Sequence, residues 1–129
     1  MKKLTGSKLR KKLIKECGAL VAQIVKARHP YCVICKFNGE MLDPRMTAGH
    51  FIPQKMSGAM RFDWEWNVFT QCAYHNSLHR FDRHPYDKWF IATFGQEKWE
   101  YMYFRQHNEK KSWKVWELEE LRDELKLML

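Results

Sequence analysis

No long apolar run occurs in the 129-residue sequence, and acidic side chains are almost missing from one end of it. No stretch approaches the 18 or more apolar residues that a membrane span needs, and Met1-Lys2-Lys3 leads into a charged segment rather than a signal-peptide core. A cytoplasmic protein is the expectation. Only four prolines and six glycines punctuate the chain, internal repeats and low-complexity tracts are missing, and 45% of the residues are hydrophobic. That composition excludes wholesale disorder, and the length leaves room for one small domain. Cysteine is scarce too, at four residues. Without a secretion signal these are expected as free thiols or metal ligands, because a reducing cytosol does not favour structural disulfides. The shortage of acid is local: residues 1–28 hold nine Lys and Arg against Glu16 alone, whereas the remainder balances 14 against 14. The net charge of +8 therefore belongs to one N-terminal segment, and it calls for a polyanionic partner, nucleic acid or an anionic membrane surface.

From Ser7 to Arg28 the residues Leu9, Leu13, Cys17, Leu20 and Ile24 fall at steps of three and four, which predicts a helix of about five or six turns. Thr5 or Ser7 can cap it, and His29-Pro30 ends it. Lys8, Arg10, Lys11, Lys12 and Lys15 surround its first half, as a solvated face or as contacts to a DNA backbone. The apolar face carries no aromatic residue, which weakens the membrane-anchor reading. Glycines and prolines break residues 31–76 into loops and short strands, with Thr47–Ile52 and Val68–Gln71 as the strands. A helix is expected from Asn76 to His84, with Leu78 and Phe81 packed inward, then helical segments over Tyr86–Phe94 and Gln96–Gln106. A last helix, Ser112–Leu129, places Trp113, Trp116, Leu121, Leu125 and Met128 on one face. Its acidic surface complements the basic first helix, within the chain or across a homodimer. The organisation is a single domain over 1–129: a basic N-terminal helix to residue 30, a metal-bound centre over 31–85 and helices over 86–129.

The chemistry lies in the centre. Cys32-Val33-Ile34-Cys35 and Cys72-Ala73-Tyr74-His75 are two pairs with identical two-residue gaps. Zinc takes four such ligands tetrahedrally, and a C-x-x-C knuckle supplies two from one turn. Cys17 belongs to the apolar stripe of the first helix and is read as core. Between the knuckles stand Ala48-Gly49-His50-Phe51 and Asn67, and Asn76 follows the second. His50 is a candidate general base, because imidazole titrates near neutral pH. Asn76 offers an amide oxygen to a hard divalent cation, or caps a helix. At helical spacing Asn76, His79, Arg80 and Arg83 share one face, where they could present a metal ligand together with phosphate-neutralising cations. Trp64 and Trp66 are the only aromatic pair held open for stacking on bases.

The segment Cys32–His79 resembles the HNH, or ββα-metal, nuclease superfamily in its His-Asn-Asn form, and the endonuclease VII type of junction resolvase is similar. Ala-Gly-His-Phe at 48–51, Arg61-Phe62-Asp63, Asn67, and Gln71-Cys72 with Asn76 resemble the NinG, or Rap, family of lambdoid phage recombination endonucleases more closely. The resemblance implies an α+β fold, a zinc-stabilised ββα-metal core with long N-terminal and C-terminal helices. It also implies a DNA endonuclease using magnesium or manganese on branched DNA, such as a Holliday junction or D-loop, inside a phage-infected or lysogenic bacterium. His50 would activate water, Asn67 would orient His50, and Asn76 would hold the catalytic metal. Two departures stand out. His75 replaces the usual fourth cysteine, and Gly49 stands where many superfamily members place a metal-binding acid. Asp43, Asp63 and His79 are the candidates for a second metal ligand. Two readings compete with the junction nuclease: a zinc-stabilised DNA-binding module without catalysis, and an HNH nickase of duplex DNA.

Overall fold

The computed structural model describes residues 5–129. Lys2 and Lys3, two of the nine N-terminal cations, lie outside the described residues.

Helix α1 runs Gly6–Arg28, capped by Thr5, whose hydroxyl accepts a hydrogen bond from the Lys8 amide at 3.3 Å. Its buried stripe is Leu13, Cys17, Val21, Ile24 and Val25, the expected periodicity. A six-residue helix, α2 (Val33–Asn38), grows directly out of the first knuckle. Composition predicts only loop there; Cys32 caps this helix, and Gly39 ends it in the left-handed conformation at φ 68°. Strands β1 (Met46–His50) and β2 (Val68–Cys72) pair antiparallel, with Gly49 opposite Phe69 and His50 opposite Val68.

Helix α3 is short, Ala73–Leu78, and starts before the expected position because Cys72 caps it. Asn76 therefore lies inside the helix, which removes its reading as an N-cap. The helix stops before Phe81, which is 88% exposed rather than packed inward. Helices α4 (His84–Phe94), α5 (Gln96–Asn108) and α6 (Val115–Leu127) complete the chain. On α6 the buried positions are Leu118 and Leu125, while Trp116 and Met128 are exposed, so the expected face is rotated. Leu118 takes the packing role expected of Trp116.

β2 is buried along its whole length because helices cover both of its faces. On one face Val68 joins an aliphatic cluster with Leu13, Cys17 and Val21 of α1 and Leu118 and Leu125 of α6. On the other, Phe69 joins an aromatic cluster with Phe51, Tyr86, Trp89 and Phe90, where Phe51 stacks on Phe90 at 4.3 Å. Helices α1 and α6 thus pack within one chain. Charge does little there: the ion pair between them joins Lys126 of α6 to Glu16 of α1 at 3.6 Å, the reverse of the expected polarity. Apolar burial holds the two together. Among the described residues no helix is long and apolar enough to cross a membrane.

Candidate metal centre and catalytic cleft

The two knuckles are built alike. Cys32 Sγ accepts from the Cys35 amide at 3.4 Å, and Cys72 Sγ accepts from the His75 amide at 3.4 Å, so each first ligand also caps a helix that carries the second. The β1–β2 hairpin brings the pairs together across 36 residues of sequence. All four side chains are buried, and their ligand atoms lie within 4.8 Å of one another. His75 Nδ1 is 3.4 Å from the sulfurs of Cys32, Cys35 and Cys72, and the Cys35 and Cys72 sulfurs are 3.7 Å apart. A tetrahedron with Zn–S bonds of about 2.3 Å has a sulfur–sulfur edge of about 3.8 Å, so the spacing suits zinc.

Burial pushes the Cys35 thiol up to about 12 and raises Cys72, so in this dry pocket the thiolates need a cation beside them. The other ring nitrogen of His75 stands 3.6 Å from Glu40, beyond hydrogen-bond distance but on the side where a carboxylate can orient a metal-binding imidazole. Glu40 carried no signal in the sequence beyond its place after a knuckle. Cys17 lies apart from the group, with its thiol directed at the Leu118 carbonyl at 3.5 Å.

His50 ends β1. Its Nε2 lies 2.7 Å from the Arg61 carbonyl, an oxygen that can only accept, so Nε2 carries the proton and Nδ1 is left as the ring's acceptor. Burial lowers the His50 pKa from its ordinary 6.5, more than the Arg61 carbonyl raises it, and the ring is neutral at neutral pH. Asn67, fully buried, makes no hydrogen bond to the His50 ring. Its Oδ1 accepts from the Ile52 amide at 2.7 Å, and its Nδ2 donates to the Ile52 and Met60 carbonyls at 3.0 Å. Its own carbonyl accepts from the Phe51 amide at 2.8 Å. Asn67 thus ties together the backbone of Phe51, Ile52 and Met60, the residues next to His50 and Arg61.

An open cleft of about 560 Å³ is lined by Ala48, His50, Pro53, Gln54, Lys55, Asn76, His79 and Arg80. His50 and Asn76 therefore face one space. A second, smaller cleft of about 240 Å³ shares Ala48, His50 and Gln54 with it and is bordered by Lys15 of α1 and by Arg61. The basic helix thus runs up to the His50 site. Lys8, Lys11, Lys12 and Lys15 are exposed; Arg10 is tied by its Nε to the Trp113 carbonyl at 2.8 Å. Lys55 is a further cation of the cleft that helical periodicity could not flag, because it sits in the hairpin loop.

The remaining candidates are placed differently. Arg80 is exposed at the cleft, but Arg83 turns inward, donating to the Phe51 carbonyl at 3.1 Å and to the Tyr103 hydroxyl at 2.8 Å. The shared helical face expected of Asn76, His79, Arg80 and Arg83 does not extend to Arg83, because α3 has ended. His79 lies in the cleft wall with Nε2 at 2.9 Å from the Phe51 carbonyl. Asp43 is held by Arg45, whose guanidinium beside it keeps the carboxyl down at about 2, and it borders a different groove with Tyr74 and Phe81. Asp63 pairs with Arg105 at 2.8 Å and accepts from the Trp66 amide. Neither acid lines the His50 cleft. Trp64 packs on the aliphatic cluster and Trp66 on the aromatic one, with Arg28 and Lys98 over their respective rings.

A small hairpin clamped to helices by a Cys3His group that could bind zinc defines the class: an α+β protein with a metal-ready knuckle pair. The family model described as the bacteriophage lambda NinG protein matches residues 1–129, and the chain belongs to that family. No curated protein and no solved structure matches it at a significant level.

Proposed function

We propose that this protein is a zinc-stabilised, magnesium- or manganese-dependent DNA endonuclease of the ββα-metal, HNH-like class. One observation carries the reading: His50, neutral and with Nδ1 free of the Arg61 contact, shares a cleft with Asn76 at the foot of a ββα unit. In that role His50 takes the proton of the attacking water while Asn67 fixes the loop that holds it. Lys55, Arg80 and Lys15 draw the phosphate backbone toward His50. Asn76 would hold the divalent cation, which when bound supplies charge stabilisation at the scissile phosphate. The buried Cys32, Cys35, Cys72 and His75 would hold zinc as a structural element. Branched DNA as substrate, with action in the cytoplasm of a phage-infected or lysogenic bacterium, rests on the NinG resemblance.

A second reading, a DNA-binding module without catalysis, is favoured by Gly49, which leaves the cleft without the usual carboxylate. Incubating zinc-loaded protein with supercoiled plasmid, then with a four-way junction and the matching linear duplex, separates the two. The nuclease reading expects breaks that require magnesium or manganese and are faster on the junction. Salt-sensitive binding with no breaks in either metal would establish the module instead.

A further inference from the structure

Gly49 stands where a metal-binding acid is usual, and the structure fills that position from the neighbouring strand. A Cβ built on Gly49 would lie 1.8 Å from Gln71 Oε1 and 2.8 Å from Asn76 Oδ1. Those distances are shorter than real Cβ contacts, so a side chain at position 49 would push the Gln71 and Asn76 amide oxygens out of their present places. Gln71 sits on β2 opposite Thr47, on the same face as Gly49, and reaches Gly49 diagonally across the pair. It is 0% exposed, yet neither Oε1 nor Nε2 has a hydrogen-bond partner among the described residues. A fully buried amide with both ends unpaired costs stability, and such a group needs a water or a bound ion as its partner.

The surroundings are rigid. Tyr86, itself buried, donates its hydroxyl to the Gly49 carbonyl at 2.9 Å, and Cys72, next in sequence to Gln71, is anchored in the knuckle. Asn76 Oδ1 makes no hydrogen bond among the described residues, and Asn76 lines the cleft with His50. Two amide oxygens beside the same Cβ-sized space, neither accepting a hydrogen bond among the described residues, suit a hard divalent cation, which prefers oxygen and keeps several waters.

We infer that Gln71 Oε1 is the second protein ligand of the divalent cation held by Asn76, taking the place of the carboxylate that Gly49 cannot supply. The inference rests on the metal-dependent nuclease reading for the use of the cation, but its test does not need cleavage. A neutral amide pair leaves the cation's full charge for the phosphate. It also makes the site weak in the absence of DNA, since no carboxylate contributes.

The test is manganese titration of the zinc-loaded protein, followed by paramagnetic broadening of side-chain amide NMR signals. The Gln71→Leu and Asn76→Ala variants assign the two signals by their loss. Manganese should broaden the Gln71 and Asn76 amide pairs before those of every other Asn and Gln. In Gln71→Leu, broadening at Asn76 should require about tenfold to a hundredfold more manganese, the usual scale for losing a group that supports a metal site. Gln71→Glu, which keeps the oxygen and adds charge, should bind manganese at least as tightly as the native protein. Zinc content and circular dichroism check each fold; should Gln71→Leu not fold, the native broadening and Gln71→Glu decide.

A Gln71 signal untouched while Asn76 broadens would overturn the assignment, as would a Gln71→Glu variant that has lost manganese. The latter result would mean that Gln71 serves as a donor to Asn76. Absence of selective broadening at both would overturn it as well. His50→Ala keeps the broadening if the inference is right, whatever it does to cleavage. Selective broadening with no cleavage by the native protein would leave Gln71 as a ligand and remove the nuclease reading. Cleavage with an untouched Gln71 would do the opposite.

Discussion

The two faces of β2 are covered by clusters of different chemistry. On one, α1 and α6 bury Leu13, Val21, Leu118 and Leu125, an aliphatic surface that any similar side chains could make. On the other, four ligands, a cap at each knuckle and a stack of Phe51, Phe90, Tyr86 and Trp89 fix the backbone around His50. A small protein divides its work in this way. The aliphatic side carries most of the basic helix; the clamped side carries the four candidate metal ligands.

Loss of the clamp should have the largest effect. Chelation, or Cys35→Ser, would remove the zinc proposed for this group, and such binding contributes on the order of 10 kcal/mol to folding in small zinc domains. Near-UV dichroism from Trp89 and its neighbours should then collapse further than the far-UV helical signal. Equal loss of both would show that the two sides do not separate. On the aliphatic side, Leu118→Ala should cost about 2–5 kcal/mol in denaturant melts while leaving one zinc per chain. A fall in zinc content would join the clusters into one unit.

Asn67→Ala strands the Ile52 amide and the Ile52 and Met60 carbonyls, each unpaired group costing about 1–3 kcal/mol. Cleavage should disappear with the loop order, with zinc retained. Replacing Lys8, Lys11, Lys12 and Lys15 by glutamine should leave stability nearly unchanged and flatten the salt dependence of DNA binding, by about one unit of slope for each phosphate no longer neutralised. Deleting residues 1–15 is a poorer test, because Leu13 is core. An unchanged slope would return α1 to a purely solvated face. The smallest effect is in pH. His50 is held below 6.5 by burial, so the unfolded chain takes up its proton first, and its share of stability is complete above 6.5 and falls as pH drops below it. The acid limb of cleavage should likewise lie below 6.5, and a limb above that value would point to another base.

Much of this is legible in residue spacing. The two matched gaps at Cys32–Cys35 and Cys72–His75 locate the metal group, and the three-and-four pattern locates α1 to within a residue at its start. Spacing fails where tertiary contacts decide. Helix α3 is displaced because a cysteine can cap a helix while binding metal, which residue preferences at caps do not encode. Trp116 and Leu118 exchange roles because both fit a helical period and only α1 chooses between them. Arg83 is drawn away from the surface by one carbonyl and one phenol that are distant in sequence. Gln71 has no periodic signal at all: it is a polar residue in a buried strand, and only the missing side chain at Gly49 gives it a task.

Plasmid nicking in magnesium, by zinc-loaded native protein beside His50→Ala, puts the proposed catalytic role of the cleft to the test. Native protein should convert supercoiled plasmid to open circles, and His50→Ala should lose that activity while keeping its zinc and its DNA affinity. Equal nicking by the two proteins, or none by the native one, would contradict the assignment of the His50–Asn76 cleft as a catalytic site.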